Sequence, residues 1–291
     1  MTESSAQIEA EKVTDRAVPG PALYAHSIFP KENMTAVVGI VHGYAEHGAR
    51  YAHVMKSWAE RGIGSIAITM RGHGLADGPR GYCARFDEFL DDTSELARRV
   101  NDRAAGKPQF LMGHSFGGLV AAMSAIENPR SWRGLILSNP FFGLALEVPA
   151  VKVLAGKIAS RWIPKLGLPS GLQGKDLTHD PAKWKEYDSD PLIFPNATAR
   201  WFTETQRAQA QAIARASELA LPLYTLFGMA DSIAAPKAAR AFYDAAGSPD
   251  KTWDGREGLF HETLHEPEWP SIANAIADWM ISHRQEKSSA S

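Results

Sequence analysis

Cysteine is almost absent. A single residue, Cys83, stands in 291, so no internal disulfide can form and the lone thiol is expected to be inert. An excess of charge of either sign is missing too. With 31 Lys and Arg against 33 Asp and Glu, the formal net charge is −2, and no basic face is available for phosphate backbones. Nucleic acid is therefore not expected as a partner. No uninterrupted apolar run approaches the ~18 residues of a membrane span, and the acidic, Ser- and Glu-rich start has no apolar stretch of the kind a secretory leader carries. A reducing, cytoplasmic setting is the expectation. There is no Gly-x-Gly-x-x-Gly and no Gly-Lys-Ser/Thr ending to cradle phosphate. His42, His47 and His53 are scattered without metal-ligand spacing, so neither cofactor nor metal is expected.

What is present is ordinary globular material: 44% hydrophobic and 22% charged residues, enough to bury a sizeable core. Short aliphatic runs predict strands at 36–41, 65–69, 109–113, 134–138, 223–227 and 251–253. Between them, apolar residues at i, i+3/i+4 spacing predict helices at 50–61, 86–103 and 271–282, and a run rich in Ala and small residues predicts one at 116–127. Near-continuous apolar strands separated by amphipathic helices imply an α/β fold, a mostly parallel central sheet flanked by helices. The rhythm breaks after Asn139, in a segment rich in proline that carries Trp162, Trp184 and Trp201. The expected organisation is a disordered tail at 1–16, a core of 17–140 and 221–284, an inserted helical cap at 141–220 whose clearest helix is 203–219, and a tail at 285–291.

Gly113-His114-Ser115-Phe116-Gly117 fits Gly-x-Ser-x-Gly directly after a predicted strand and directly before a predicted helix. The turn would lift the Ser115 hydroxyl above the sheet's C-terminal edge, and the glycines leave room for backbone to approach backbone. Serine needs a base oriented by a carboxylate, in the chain order Ser, acid, His for this architecture. His261, in the loop after strand 251–253, fits the base, with His265 as runner-up. Asp231 follows strand 223–227 and fits the acid, an N-cap role for a helix at 236–246 being the plainer alternative. Two donors should face the developing oxyanion: the N–H of Phe116, and the N–H of Tyr44 in the loop after strand 36–41. Arg71-Gly72-His73-Gly74 reads as a glycine-punctuated loop bracing its neighbours, and Glu262 and Glu266 as surface or supporting groups.

Taken together, His42-Gly43-Tyr44-Ala45-Glu46-His47, Arg50-Tyr51, the Arg71–Gly74 loop, Gly113–Gly118, Gly228-x-x-Asp231 and His261-Glu262-x-x-x-Glu266 resemble the monoacylglycerol lipase/lysophospholipase branch of the α/β-hydrolases, of the serine aminopeptidase S33 type. The resemblance runs over nearly the whole chain. It implies a serine esterase with Ser115, Asp231 and His261 as triad and oxyanion donors at Tyr44 and Phe116. Tyr44 stands where the family commonly has a small or aliphatic residue, Phe116 where it often has Met, and His265 where it often has Asn. The bulk of Tyr44 and Phe116 would narrow the acyl pocket.

The expected activity is hydrolysis of single-acyl-chain lipid esters, monoacylglycerol or lysophospholipid, through an acyl-enzyme without a cofactor. A short-chain esterase, acyltransferase or perhydrolase on the same fold, or a catalytically silent ligand receptor, are the alternatives. The apolar opening of the insertion predicts substrate contacts at Phe141, Phe142, Leu144 and Trp162, and a greasy surface able to rest on lipid. No obligate protein partner is expected.

Overall fold

A computed structural model describes residues 7–146 and 149–284. The strands are β1 (Glu9–Val13), β2 (Leu23–Ile28), β3 (Ala36–Val41), β4 (Ile63–Thr69), β5 (Gln109–His114), β6 (Gly134–Ser138), β7 (Gly167–Pro169), β8 (Asn196–Thr198), β9 (Leu223–Gly228) and β10 (Lys251–Arg256). The α-helices are α1 (Ala52–Glu60), α2 (Asp87–Ala104), α3 (Phe116–Glu127), α4 (Ala150–Trp162), α5 (Pro181–Ser189), α6 (Ala199–Arg215), α7 (Pro236–Ala245) and α8 (Trp269–Ser282). Among the described residues one large sheet runs β1-β2-β4-β3-β5-β6-β9-β10, antiparallel at the β1 and β2 edge and parallel from β4 onward.

β3 is apolar and wholly buried and β5 is buried from Phe110 on, as strands covered on both faces must be. Val38, Ile40, Phe110 and Ile136 face α1 and α8, where Trp58, Ile272 and Trp279, with Tyr51 just before α1, complete one core. Val37, Val41, Leu111 and Leu135 face the other way, toward Phe89, Leu96, Leu119 and Phe242 of α2, α3 and α7. The parallel strands end at one rim, so the loops after β3, β5, β9 and β10 rise beside each other. That rim is where open α/β sheets place their ligands.

Two expectations need correction. Residues 9–13 are not a disordered tail but strand β1, paired with β2 from Glu9↔Ser27 to Val13↔Leu23. Its side chains are mostly exposed, so sequence hydrophobicity could not reveal it. It is held by backbone pairing and by ion pairs of Glu11 with Arg99 and Lys12 with Asp77. Arg16, just beyond, reaches buried Asp92 at 2.8 Å. The segment between β6 and β9 holds α4, α5 and the β7–β8 pair as well as α6. Helix α6 starts at Ala199, earlier than expected, because Thr198 accepts a capping hydrogen bond from the Trp201 N–H at 3.3 Å. The expected tail at 285–291 lies outside the described residues.

Candidate active site

Ser115 joins β5 to α3 with φ 52 and ψ −121, a region that L-residues avoid. The sharp turn survives because Gly113 and Gly117 lack side chains: a Cβ on Gly113 would strike the Gly117 carbonyl, and one on Gly117 the carbonyls of Val41 and His42. Hydrogen bonds from Ser115 N to Ser138 O and from Phe141 N to Ser115 O, each 2.9 Å, lock it from both sides.

His261, in the loop after β10, receives the Ser115 hydroxyl at Nε2 over 2.8 Å and donates from Nδ1 to Asp231 Oδ2 over 2.7 Å. Asp231 does not cap α7, whose N-cap is Ala235. Its Oδ1 accepts the N–H groups of Ile233 (2.7 Å) and Ala234 (3.0 Å). Burial works against a charged imidazole, but the Asp231 carboxylate and its hydrogen bond outweigh it, so the His261 pKa lies above its ordinary value. Burial likewise opposes the Asp231 charge and is overcome by His261, leaving that carboxyl below the usual range.

The N–H groups of Tyr44 and Phe116 make no hydrogen bond to another group among the described residues, and both residues line the same cavity as Ser115. The strand-end loop that carries Tyr44 comes close: a Cβ on Gly43 would sit 3.3 Å from Ser115 Cβ. Two free donors thus flank the nucleophile, as an oxyanion site requires.

The cavity measures about 860 Å³. Phe141 and Leu144 line it; Phe142 and Trp162 do not. Phe142, one residue after Phe141, turns the opposite way and stacks on Phe242 at 4.1 Å. Trp162 belongs to the wrong stripe of α4. Lys152, Ala155, Gly156 and Ala159 face the cavity at helical spacing, whereas Val151, Leu154, Ile158 and Trp162 form the outward stripe, with Trp162 75% exposed.

Several supporting residues escape sequence reading. Asn139, left-handed at φ 44, donates from Nδ2 to Asp231 Oδ2 at 2.8 Å and accepts from Gly228 N at 3.3 Å. Glu262 and Glu266, expected at the surface or in support, are both buried and supporting. Arg50 reaches Glu262 with two hydrogen bonds, 2.6 and 2.7 Å, and also pairs with Glu46. Burial disfavours all three charges. Arg50 nonetheless holds both carboxyls below the usual range, and the two carboxylates raise the guanidinium in return. Glu266 accepts the N–H of Phe260 at 2.8 Å and that of His179 at 2.8 Å, tying the His261 loop to the inserted segment. His265, the alternative base, points away from Ser115 and bonds Arg50 O at 3.2 Å. Arg71 clasps Asp92 through Nε and Nη2, the bracing role its loop predicts.

A serine held at a strained strand–helix elbow, hydrogen-bonded through a histidine to an aspartate from the next strand ends, places the chain among the α/β-hydrolases. Residues 32–268 match the family model described as Serine aminopeptidase, S33, and the chain belongs to that family. It is 28% identical over 259 residues to a monoacylglycerol lipase of Mycolicibacterium smegmatis, spanning 87% of this chain and 91% of that one. An abhydrolase domain-containing protein of Dictyostelium discoideum is 30% identical over 256 residues, 86% of this chain but only 27% of that longer protein. Among solved structures, the monoacylglycerol lipase of Paleococcus ferrophilus superposes with a TM-score of 0.81 at 29% identity, covering 90% of this chain and 99% of the other.

Proposed function

We propose that the chain is a carboxylic ester hydrolase that cleaves single-acyl-chain lipid esters, monoacylglycerol foremost, through an acyl-enzyme. The observation that carries this reading is the unbroken chain of hydrogen bonds from Asp231 through His261 to Ser115, opening into one large, mainly apolar cavity. In the first step Ser115 Oγ attacks the ester carbonyl as its proton passes to His261 Nε2, and Asp231 steadies the imidazolium. The carbonyl oxygen, now negative, takes the Tyr44 and Phe116 N–H groups. His261 then gives its proton to the departing alcohol, and water repeats the cycle on the acyl-enzyme.

Hydrogen-bonding groups favour a hydroxylated head group. Glu46 and Glu262 line the cavity with Arg50 between them, and a glycerol hydroxyl can donate to either carboxylate. Residues 141–220 act as a cap on this reading, and the outward stripe of α4, apolar and exposed, rests it on a lipid surface. No helix among the described residues is long and apolar enough to cross a membrane, in keeping with peripheral work from the cytoplasm.

A panel of monoacylglycerols, lysophospholipids and p-nitrophenyl esters of graded chain length tests the proposal. Hydrolysis of monoacylglycerol should exceed that of lysophospholipid and should vanish in Ser115→Ala. Activity that peaks at the shortest acyl chains would favour a small-ester esterase instead, and full activity in Ser115→Ala would reject the mechanism.

A further inference from the structure

The loop residue with the free N–H also builds a wall. Tyr44 is buried, its ring lying on Trp201 with centroids 3.8 Å apart and meeting the Phe116 ring edge-on at 6.1 Å. All three residues line the cavity. Behind the Tyr44 ring lie Phe194, edge-on at 5.4 Å, and His73, edge-on at 5.6 Å, and neither reaches the cavity. The hydroxyl is anchored as well, donating to Asn196 O of β8 at 2.8 Å. Room for it comes from Gly81, where a Cβ would collide with the Tyr44 hydroxyl. A ring pinned at its tip and packed among the rings of Trp201, Phe116, Phe194 and His73 cannot swing aside for a wide substrate.

Its position along the substrate follows from the backbone. The N–H of Tyr44 faces the carbonyl oxygen in the proposed mechanism, and neighbouring Gly43 abuts Ser115. The side chain of Tyr44 therefore stands beside the first carbons of the acyl group, not at the far end of the chain. We infer that Tyr44 is a specificity-determining residue that sets the width of the acyl slot next to the carboxyl carbon, admitting straight chains and rejecting acyl groups branched at the second carbon. The inference rests on the ester-hydrolase reading.

The test compares two isomeric p-nitrophenyl esters of equal carbon number, pentanoate and 2-methylbutanoate, so that shape differs and formula does not. The ratio of their kcat/KM values should favour the straight chain in the wild type. In Tyr44→Ala it should fall by about tenfold or more, the discrimination one extra carbon in a fitted pocket provides. Tyr44→Phe, which keeps the ring and loses only the bond to Asn196, should leave the ratio near the wild-type value. Tyr44→Leu carries the same readout as the alanine variant if the latter folds poorly. An unchanged ratio in both the Ala and Leu variants, with pentanoate still cleaved, overturns the inference alone. Failure of the wild type to cleave either ester overturns the hydrolase reading beneath it.

Discussion

Asn139 shows what a single side chain contributes without touching substrate. It donates to the same Asp231 oxygen that accepts from His261 and occupies left-handed backbone next to a proline. Asn139→Ala removes a hydrogen bond to a charged group, worth ~1.5–3 kcal/mol, so kcat/KM should drop roughly ten- to hundredfold in steady-state assays while Ser115 stays labelled by a fluorophosphonate. The raised pKa of His261 has its own signature. The base works only when neutral, so activity should fall as pH drops through a value above the ~6.5 of a free imidazole. In Asp231→Asn the carboxylate that raises it is gone. That acid limb should move to lower pH, and the rate should fall about 10⁴-fold, both read from a pH–rate profile. Ser115, Asp231 and His261 were legible because each follows a strand and their order in the chain is the one the fold imposes. Asn139 was not, because nothing local distinguishes an Asn at a strand end from a turn former.

Between elements, the decisive contacts are charged and buried. Glu46 sits after β3 and Glu262 after β10, and Arg50 bridges them, reaching Glu262 across 212 positions of sequence. A glutamate in isolation reads as solvated, so such pairing can be seen only once the two loops are known to meet. Arg50→Met should leave two carboxylates facing each other without compensation. Such removals cost roughly 3–5 kcal/mol, which urea denaturation monitored by tryptophan fluorescence would register as a lower midpoint. Helix α4 misled for a related reason. Its sequence is apolar on one stripe and small on the other, and periodicity alone cannot say which stripe faces inward. The small one does, leaving space for substrate.

For the molecule as a whole, the parallel sheet was readable from its aliphatic runs, whereas the antiparallel edge was not. β1 is Glu-Ala-Glu-Lys-Val, mostly charged and exposed, and β2 mixes His and Ser into its alternation. The outward stripe of α4 gives the molecule one greasy side, with Val151 73% exposed. Leu154→Asp should therefore weaken co-flotation with phosphatidylcholine vesicles and slow cleavage of vesicle-borne substrate severalfold, with little change toward a dissolved ester. Equal loss on both substrates would argue that the helix shapes the cavity and not the docking.

β6 and β9 lie side by side, paired from Leu135↔Leu223 to Ser138↔Leu226, yet everything from α4 to α6 is threaded between them. Such a detour leaves and rejoins the sheet through adjacent doors. Its replacement by a foreign stretch of different length would ask nothing of the strand order below, so new substrate tastes can be acquired by exchanging this cassette wherever the newcomer restores the bonds that Leu177 and His179 make to the His261 loop.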